Sequence, residues 1–244
     1  MDGKKIKRYC EPEALAEVFG CQMVDLNDIK YFIFDFGGVM SPSSHVFKNL
    51  LELLNTDLKL NLEYADPFIK KLKRRLTSGI ISSREFLQLL FMEYYYPRIN
   101  EQPEGALPHK KVNIDYYLEL WFNMYCKFTE LSPKMKDIIQ QLHNSGFTVV
   151  LLSNVYDIYA KGNILRGFYD IFDHTFLSNE IGMKKPDLEQ YKYVLEKLNA
   201  VPQSCVFVDD KLKNLAPARQ LGIIVVKFES LIRFKEHLNN LGIQ

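Results

Sequence analysis

Four short stretches of this chain end in residues that could handle a phosphate-like anion or a hard cation. They are Asp35 in FIFDFGGV, Ser153 and Asn154 in LLSN, Lys184 and Lys185 in GMKKP, and Asp209 with Asp210 in VFVDD. Carboxylates gathered at one edge would repel and raise each other's pKa unless a cation lay between them. A donor set made only of oxygen suits Mg²⁺ better than zinc or copper. The Ser153 hydroxyl, the backbone N–H groups of the glycine turn and the Lys185 ammonium would then cradle phosphoryl oxygens and offset charge in a transition state. Asp35 would serve as nucleophile, forming an aspartyl-phosphate that water hydrolyses.

The elements that must bring these residues together are legible as alternating patterns. Apolar or β-branched runs at 31–34, 148–152, 175–177, 206–208 and 223–228 predict buried strands. Helix-period segments at 133–144, 187–198 and 214–221 lie between or after them, the first with Ser132 as N-cap and Pro133 at the first helical position. Alternation of this kind predicts an α/β fold: a Rossmann-like, doubly wound parallel sheet, which binds ligands at the carboxyl ends of its strands. Residues 44–127 break the alternation with helical patterns only, at 47–54, 67–76 and 83–94, then a looser stretch at 97–109. The expected organisation is therefore an N-terminal extension over 1–28 with a short helix at 11–19, a core over 29–43 and 128–244, and an all-helical insertion over 44–127.

Composition narrows the partners. With 31 Lys and Arg against 30 Asp and Glu in 244 residues, no global field favours nucleic acid or an acidic membrane, so a small-molecule or protein partner is expected, and the anion-handling residues above make it a small phosphorylated substrate. No run of about eighteen apolar residues occurs, and no apolar segment follows the basic residues Lys4, Lys5, Lys7 and Arg8. Cys10, Cys21, Cys126 and Cys205 form no CxxC pair, which argues against a disulfide framework and a zinc site and for a reducing, cytoplasmic setting.

The motifs in this order resemble those of the haloacid dehalogenase-like superfamily over about residues 29–230, with the helical insertion where that superfamily places its substrate-selecting cap. LSNEIGMKKPD followed by VDDKLKNLAPARQLG is most similar to the subgroup holding bacterial glucose-1-phosphate phosphatases and the amino-terminal phosphatase domain of soluble epoxide hydrolases. The resemblance implies Asp35 as nucleophile and metal ligand, the Gly37 carbonyl and Asp210 as further Mg²⁺ ligands, and Gly38, Ser153 and Asn154 in phosphate-binding turns. It makes Lys185 the phosphate-binding lysine, Asp209 the residue that orients it or a metal-bound water, and Asn214 a supporting polar group. One position departs from the pattern. Phosphatases of the superfamily carry a second aspartate two residues after the nucleophile, as general acid and base, and this chain has Gly37.

Other features take plainer readings. The run Lys70, Lys71, Lys73, Arg74, Arg75 is expected on the solvated outer face of a helix, and Lys184 as a solvated neighbour. The aromatic excess at Tyr94, Tyr95, Tyr96, Tyr116, Tyr117 and Trp121 is expected to pack a core. Among the histidines only His45, after the glycine loop, stands where it could reach the site. The expectation is a Mg²⁺-dependent phosphatase of a small metabolite such as a sugar phosphate. A fold-retaining binding module that lost turnover through Gly37 is the alternative, and a metal-free dehalogenase ranks lower, because Asp209 and Asp210 would then lack a cation.

Overall fold

The computed structural model describes residues 6–10, 13–97 and 112–243. Its centre is a five-stranded, all-parallel sheet of β3 (Tyr31–Phe34), β4 (Thr148–Ser153), β5 (His174–Leu177), β6 (Cys205–Asp209) and β7 (Ile224–Lys227), in the order β5-β4-β3-β6-β7. All five strands stand within a residue or two of where the apolar runs place them. Successive residues point to opposite faces, and both faces are buried, so the strands read as unbroken apolar runs. Phe32, Phe34, Val149, Leu151, Val206 and Val208 enter one apolar cluster, while Ile33, Val150, Leu152 and Phe207 enter the other.

The first face is covered by α6 (Pro133–Asn144) through Ile138, Ile139 and Leu142, and by α11 (Leu231–Asn240) through Phe234 and Leu238. Ser132 caps α6, its hydroxyl accepting from the Met135 N–H. The second face is covered by α9 (Leu188–Lys197) and α10 (Leu212–Gln220), through Tyr191, Val194, Leu215 and Ala218. Because β3 joins β4 on one side and β6 on the other, the chain reverses its winding at β3, which opens a crevice at the carboxyl ends of these strands.

The described residues between β3 and α6 are helical: α2 (Val46–Leu58), α3 (Pro67–Thr77), α4 (Ser83–Leu90) continued by a π-turn (Phe91–Tyr95), and α5 (Ile114–Phe128). They share an apolar cluster of their own, joined by Tyr156 and Ile158 from α7 (Asp157–Leu165) and the residue before it. Tyr95, Tyr117 and Trp121 are buried there, whereas Tyr96 and Tyr116 are exposed, so the aromatic excess is largely core, as expected. Most of the loose stretch at 97–109, like Lys4 and Lys5, lies outside the described residues.

Two features of the N-terminal segment were not expected. Antiparallel strands β1 (Ile6–Tyr9) and β2 (Gln22–Asp25) flank α1 (Glu13–Phe19), whose Leu15 enters the sheet's second cluster. The reading of the cysteines as unpaired is corrected: Cys10 and Cys21 form a disulfide, with Cα atoms 4.3 Å apart. Register is the reason. Tyr9 pairs with Gln22, which sets the next residue of one strand beside the preceding residue of the other, a proximity that spacing along the chain does not reveal. Cys126 and Cys205 remain thiols. No described helix is long and apolar enough to cross a membrane.

Trp121 anchors the helical layer, fully buried, with ring centroids 6.0 Å from Phe47 and 5.8 Å from Phe86 and its indole N–H donating to the Tyr159 hydroxyl at 3.0 Å. Trp121→Ala is expected to destabilise the fold by about 3–5 kcal/mol, read as an earlier urea midpoint. A loss below about 1 kcal/mol would mean that the layer is held elsewhere.

Candidate active site

The sheet register brings the chemistry-bearing residues together. The Asp35 N–H donates to the Val208 carbonyl at 2.9 Å, which sets the residue after β3 level with Asp209 at the end of β6, while Ser153 ends the neighbouring β4. Asp35, Ser153, Lys185, Asp209 and Asn214 are all buried. A cleft of about 900 Å³ opens over this edge, lined by Asp35, Gly37, Ser153, Asn154, Lys185 and Asn214 from the core.

Lys185 sits at the centre. Its ammonium is 2.8 Å from Asp35 Oδ1, donates to Asp209 Oδ2 at 2.9 Å and to the Leu152 carbonyl at 2.7 Å, so each of its three protons has an acceptor. The loop carrying it is clamped by Asn154, whose side-chain N–H donates to the Lys185 carbonyl at 2.8 Å and whose oxygen accepts the Lys185 N–H at 2.9 Å. Asn154 thus positions the lysine, its amide being spent on that clamp. Asp209 is spent in the same sense: its oxygens accept from Lys185, from the Asn214 side chain at 3.0 Å and from the Lys211 N–H at 2.8 Å. One ammonium cannot compensate two buried carboxylates in full. Burial, with Asp209 adding to it, therefore holds the Asp35 pKa above the usual carboxylate value despite the opposing pull of Lys185.

The site fits a hard cation. Asp35, Asp209 and Asp210 each offer an oxygen, all within 4.8 Å of one another. Asp209 accepts from three donors fixed inside the fold, whereas the Asp210 oxygens meet only the exposed Lys211 side chain, so Asp35 and Asp210 are the carboxylates better placed to ligate. Asn214 gives a second sign. Its N–H₂ must face the Asp209 carboxylate, which only accepts, so its oxygen points the other way, and that oxygen is buried without a protein donor, as suits an acceptor for a cation-bound water. Lys211, which sequence reasoning passed over although it follows VFVDD directly, covers Asp210 with bonds of 2.8 and 3.1 Å.

The two glycines differ. At Gly38, φ is +94° and a Cβ would stand 2.5 Å from Asp210 Oδ2, so glycine is needed for the close approach to that carboxylate. The Gly38 N–H donates to the Ser41 carbonyl at 2.7 Å, so what the residue provides is room for Asp210 rather than a hydrogen bond to an anion. Gly37 has no left-handed φ, and a Cβ there would meet nothing within 4 Å. No steric demand calls for glycine at that position. His45 lines the same cleft from the N-terminus of α2, exposed.

The basic run adds to an expectation. Lys70, Lys71 and Arg74 are exposed, as expected of a solvated helix face, but Lys70, Lys73 and Arg74 also line the cleft together with Lys184, while Lys71 and Arg75 do not. Their spacing of i, i+3, i+4 is one helical stripe, and the apolar stripe Ile69, Leu72, Leu76 holds the helix by its neighbouring side.

The fold and this site define the class: the chain belongs to the haloacid dehalogenase-like hydrolases, whose family model matches residues 29–222. It is 24% identical to the D-ribitol-5-phosphate phosphatase of Bacteroides thetaiotaomicron, over 86% of this chain and 97% of that protein. It is 32% identical to a sesquiterpene phosphatase of Aspergillus oryzae over 37% of this chain, and it spans 47% of that relative's length. Among solved structures, a haloacid dehalogenase family enzyme from Bacteroides thetaiotaomicron in complex with magnesium and inorganic phosphate shares the fold, with a TM-score of 0.62 at 22% identity over 84% of this chain and 98% of that one.

The raised Asp35 pKa gives a signed expectation. A buried carboxylate whose folded pKa is raised costs stability once ionised, so Asp35→Asn should raise the stability of the cation-free protein near pH 7. The gain should shrink as pH falls and vanish below the ordinary aspartate value of 3.8, where Asp35 is protonated in both folded and unfolded chains. Denaturation curves of both forms at several pH values check this. An Asn variant less stable at pH 7 would mean that the Lys185 bond more than offsets burial.

Proposed function

We propose that this protein is a Mg²⁺-dependent phosphomonoester hydrolase that acts through an aspartyl-phosphate on a small phosphorylated metabolite, a sugar phosphate among the candidates. The observation that carries this reading is the Asp35 carboxylate, held 2.8 Å from the Lys185 ammonium where the sheet edge meets the cleft. Relatives named as phosphatases support it. We assign residues 44–127, whose described helices line the cleft opposite the sheet edge, as a substrate-selecting cap on a core of 29–43 and 128–244, with 1–28 as an N-terminal extension.

In this reading Asp35 Oδ1 stays fixed by the Phe36 N–H at 2.8 Å and by Lys185, which leaves Oδ2 to attack phosphorus. The new O–P bond forms as the ester O–P bond breaks and its electron pair leaves with the alcohol oxygen. Lys185 and the Ser153 hydroxyl offset charge on the phosphoryl oxygens, and Asp209, with Asn214 behind it, keeps Lys185 aimed. Asp35, Asp210 and the Gly37 carbonyl would hold Mg²⁺, which supplies charge neutralisation and orients the phosphoryl group. Water then hydrolyses the aspartyl-phosphate, releasing inorganic phosphate and restoring Asp35.

Gly37 offers no proton to the leaving oxygen, and a positioned general acid contributes about 10²–10⁴ in rate. Esters with acidic leaving groups, such as aryl or anomeric phosphates, are therefore the preferred substrates. Phosphate release from an aryl phosphate should need Mg²⁺ and vanish in Asp35→Asn. Gly37→Asp, entering open space, should change stability by less than about 0.5 kcal/mol and raise turnover of primary-alcohol phosphates by about 10²–10⁴. Mg²⁺ binding in calorimetry with no phosphate released from any ester, by wild type or Gly37→Asp, would overturn hydrolysis. A binding module, the reading Gly37 itself favours, would replace it.

A further inference from the structure

The cleft's charge is far from balanced. Among the described residues the one carboxylate in its lining is Asp35, already matched by Lys185. Lys211 is matched by Asp210. Six further cations line the same space: Lys48, Lys70, Lys73, Arg74, Lys184 and Lys213. None of them forms an ion pair with a carboxylate among the described residues. They come from opposite walls, Lys70, Lys73 and Arg74 from α3 and Lys184 and Lys213 from loop and helix start on the core.

Across the gap like charges face like. Lys73 is half-buried, and burial together with Lys213 pulls its pKa down to about 8. Burial also lowers Lys184, where repulsion from Arg74 works against the nearby Asp187. Cations that repel one another in a part-dry cleft raise its energy unless an anion enters. Aromatic surface adds shape to the place: the Lys73 ammonium lies over the Tyr64 ring, 4.0 Å from its centroid, and donates to the Tyr64 hydroxyl. Lys70, Lys73 and Arg74 stand on α3, in the helical layer, whereas Asp35 and Lys185 belong to the sheet edge. The α3 cations thus line a different wall of the cleft from the one that carries Asp35.

We infer that this wall is a second anion subsite, built by Lys70, Lys73 and Arg74 with Lys184 and Lys213, and that the substrate carries a second anionic group, phosphate or carboxylate, beyond the phosphoryl group facing Asp35. The inference rests on the reading of Asp35 as the reacting end. Subsite and active site divide the substrate between them: the core takes the group to be cleaved, and α3 takes the distal charge. A neutral-tailed ester satisfies only one of them.

The test uses phosphonates, whose C–P bond this chemistry does not cleave, so binding is read without turnover. Calorimetry with Mg²⁺ in excess compares propylphosphonate with propane-1,3-bisphosphonate, pentane-1,5-bisphosphonate and 3-phosphonopropanoate. At least one two-headed ligand should bind ten-fold or more tighter than propylphosphonate, and the carboxylate arm tells which second group is preferred. The ratio should collapse toward one in the Lys73→Gln/Arg74→Gln double variant and shrink in Lys213→Gln, which sits on a different element and guards against a folding defect in α3. Equal affinities throughout, or a preference that survives both variants, overturns the subsite. Tight two-headed binding without phosphate release from any ester would overturn hydrolysis alone and leave the subsite standing.

Discussion

The ammonium of Lys185 is the interaction on which the rest of the site depends. Its three protons reach Asp35 just past β3, the Leu152 carbonyl in β4 and the Asp209 carboxylate ending β6, so one cation ties together the carboxyl ends of the three central strands. Buried as it is, the lysine would be costly without these acceptors, and the acceptors would repel one another without it. The surrounding bonds follow from that exchange. Asn154 holds the lysine's own backbone, and Asn214 and the Lys211 N–H absorb the valences of Asp209 that Lys185 leaves open. What remains uncompensated is Asp35, which burial pushes toward its neutral form. In the proposed reaction this incompletely matched carboxylate is what a cation and an incoming phosphoryl group would exploit.

The glycine turn shows how two identical residues serve opposite ends. Gly38 is demanded by the backbone, since its left-handed φ and the nearness of Asp210 leave no room for a side chain. Gly37 is demanded by nothing in the backbone or its surroundings. Its identity therefore bears on chemistry rather than folding, and in the proposed reaction the missing carboxylate there would set which leaving groups the site can release. The fold has kept the space in which an acid would stand.

Much of this was legible because the signals are local. Parallel strands buried on both faces write themselves as apolar runs, and the residue ending each run is the one that reaches the crevice, so Asp35, Ser153 and Asp209 could be picked from spacing alone. Three things were not legible, each depending on contacts between distant residues. The hairpin of β1 and β2 has four-residue strands with exposed Lys7 and Arg8, too short and too polar to announce a sheet, and the Cys10–Cys21 bond depends on its register. The duties of the two asparagines depend on which partner each meets. The direction of α3 depends on docking: its positions 70, 73, 74 and 77 make a polar stripe, but only the location of the apolar stripe's partners decides whether such a stripe faces solvent or a cleft.

That docking is itself tightly specified. At the end of α3 the Thr77 carbonyl accepts from the Ser178 hydroxyl at 2.6 Å, directly after β5, and Ser178 also accepts the Val155 N–H beyond β4. Two residues on, Gly79 with φ +64° lies so close to the Asn179 carbonyl that a Cβ would stand 2.0 Å from it. A little further, the Ser83 N–H and hydroxyl both donate to Asp157 at the start of α7. Three contacts within seven residues thus seat the helical layer beyond the ends of β4 and β5, beside the ends of β3 and β6 that carry the acidic cluster. A chain whose overall charge is only +1 can in this way hold a strongly cationic wall against a carboxylate-rich edge. Net charge averages the two away, whereas an anion entering the cleft meets them one after the other.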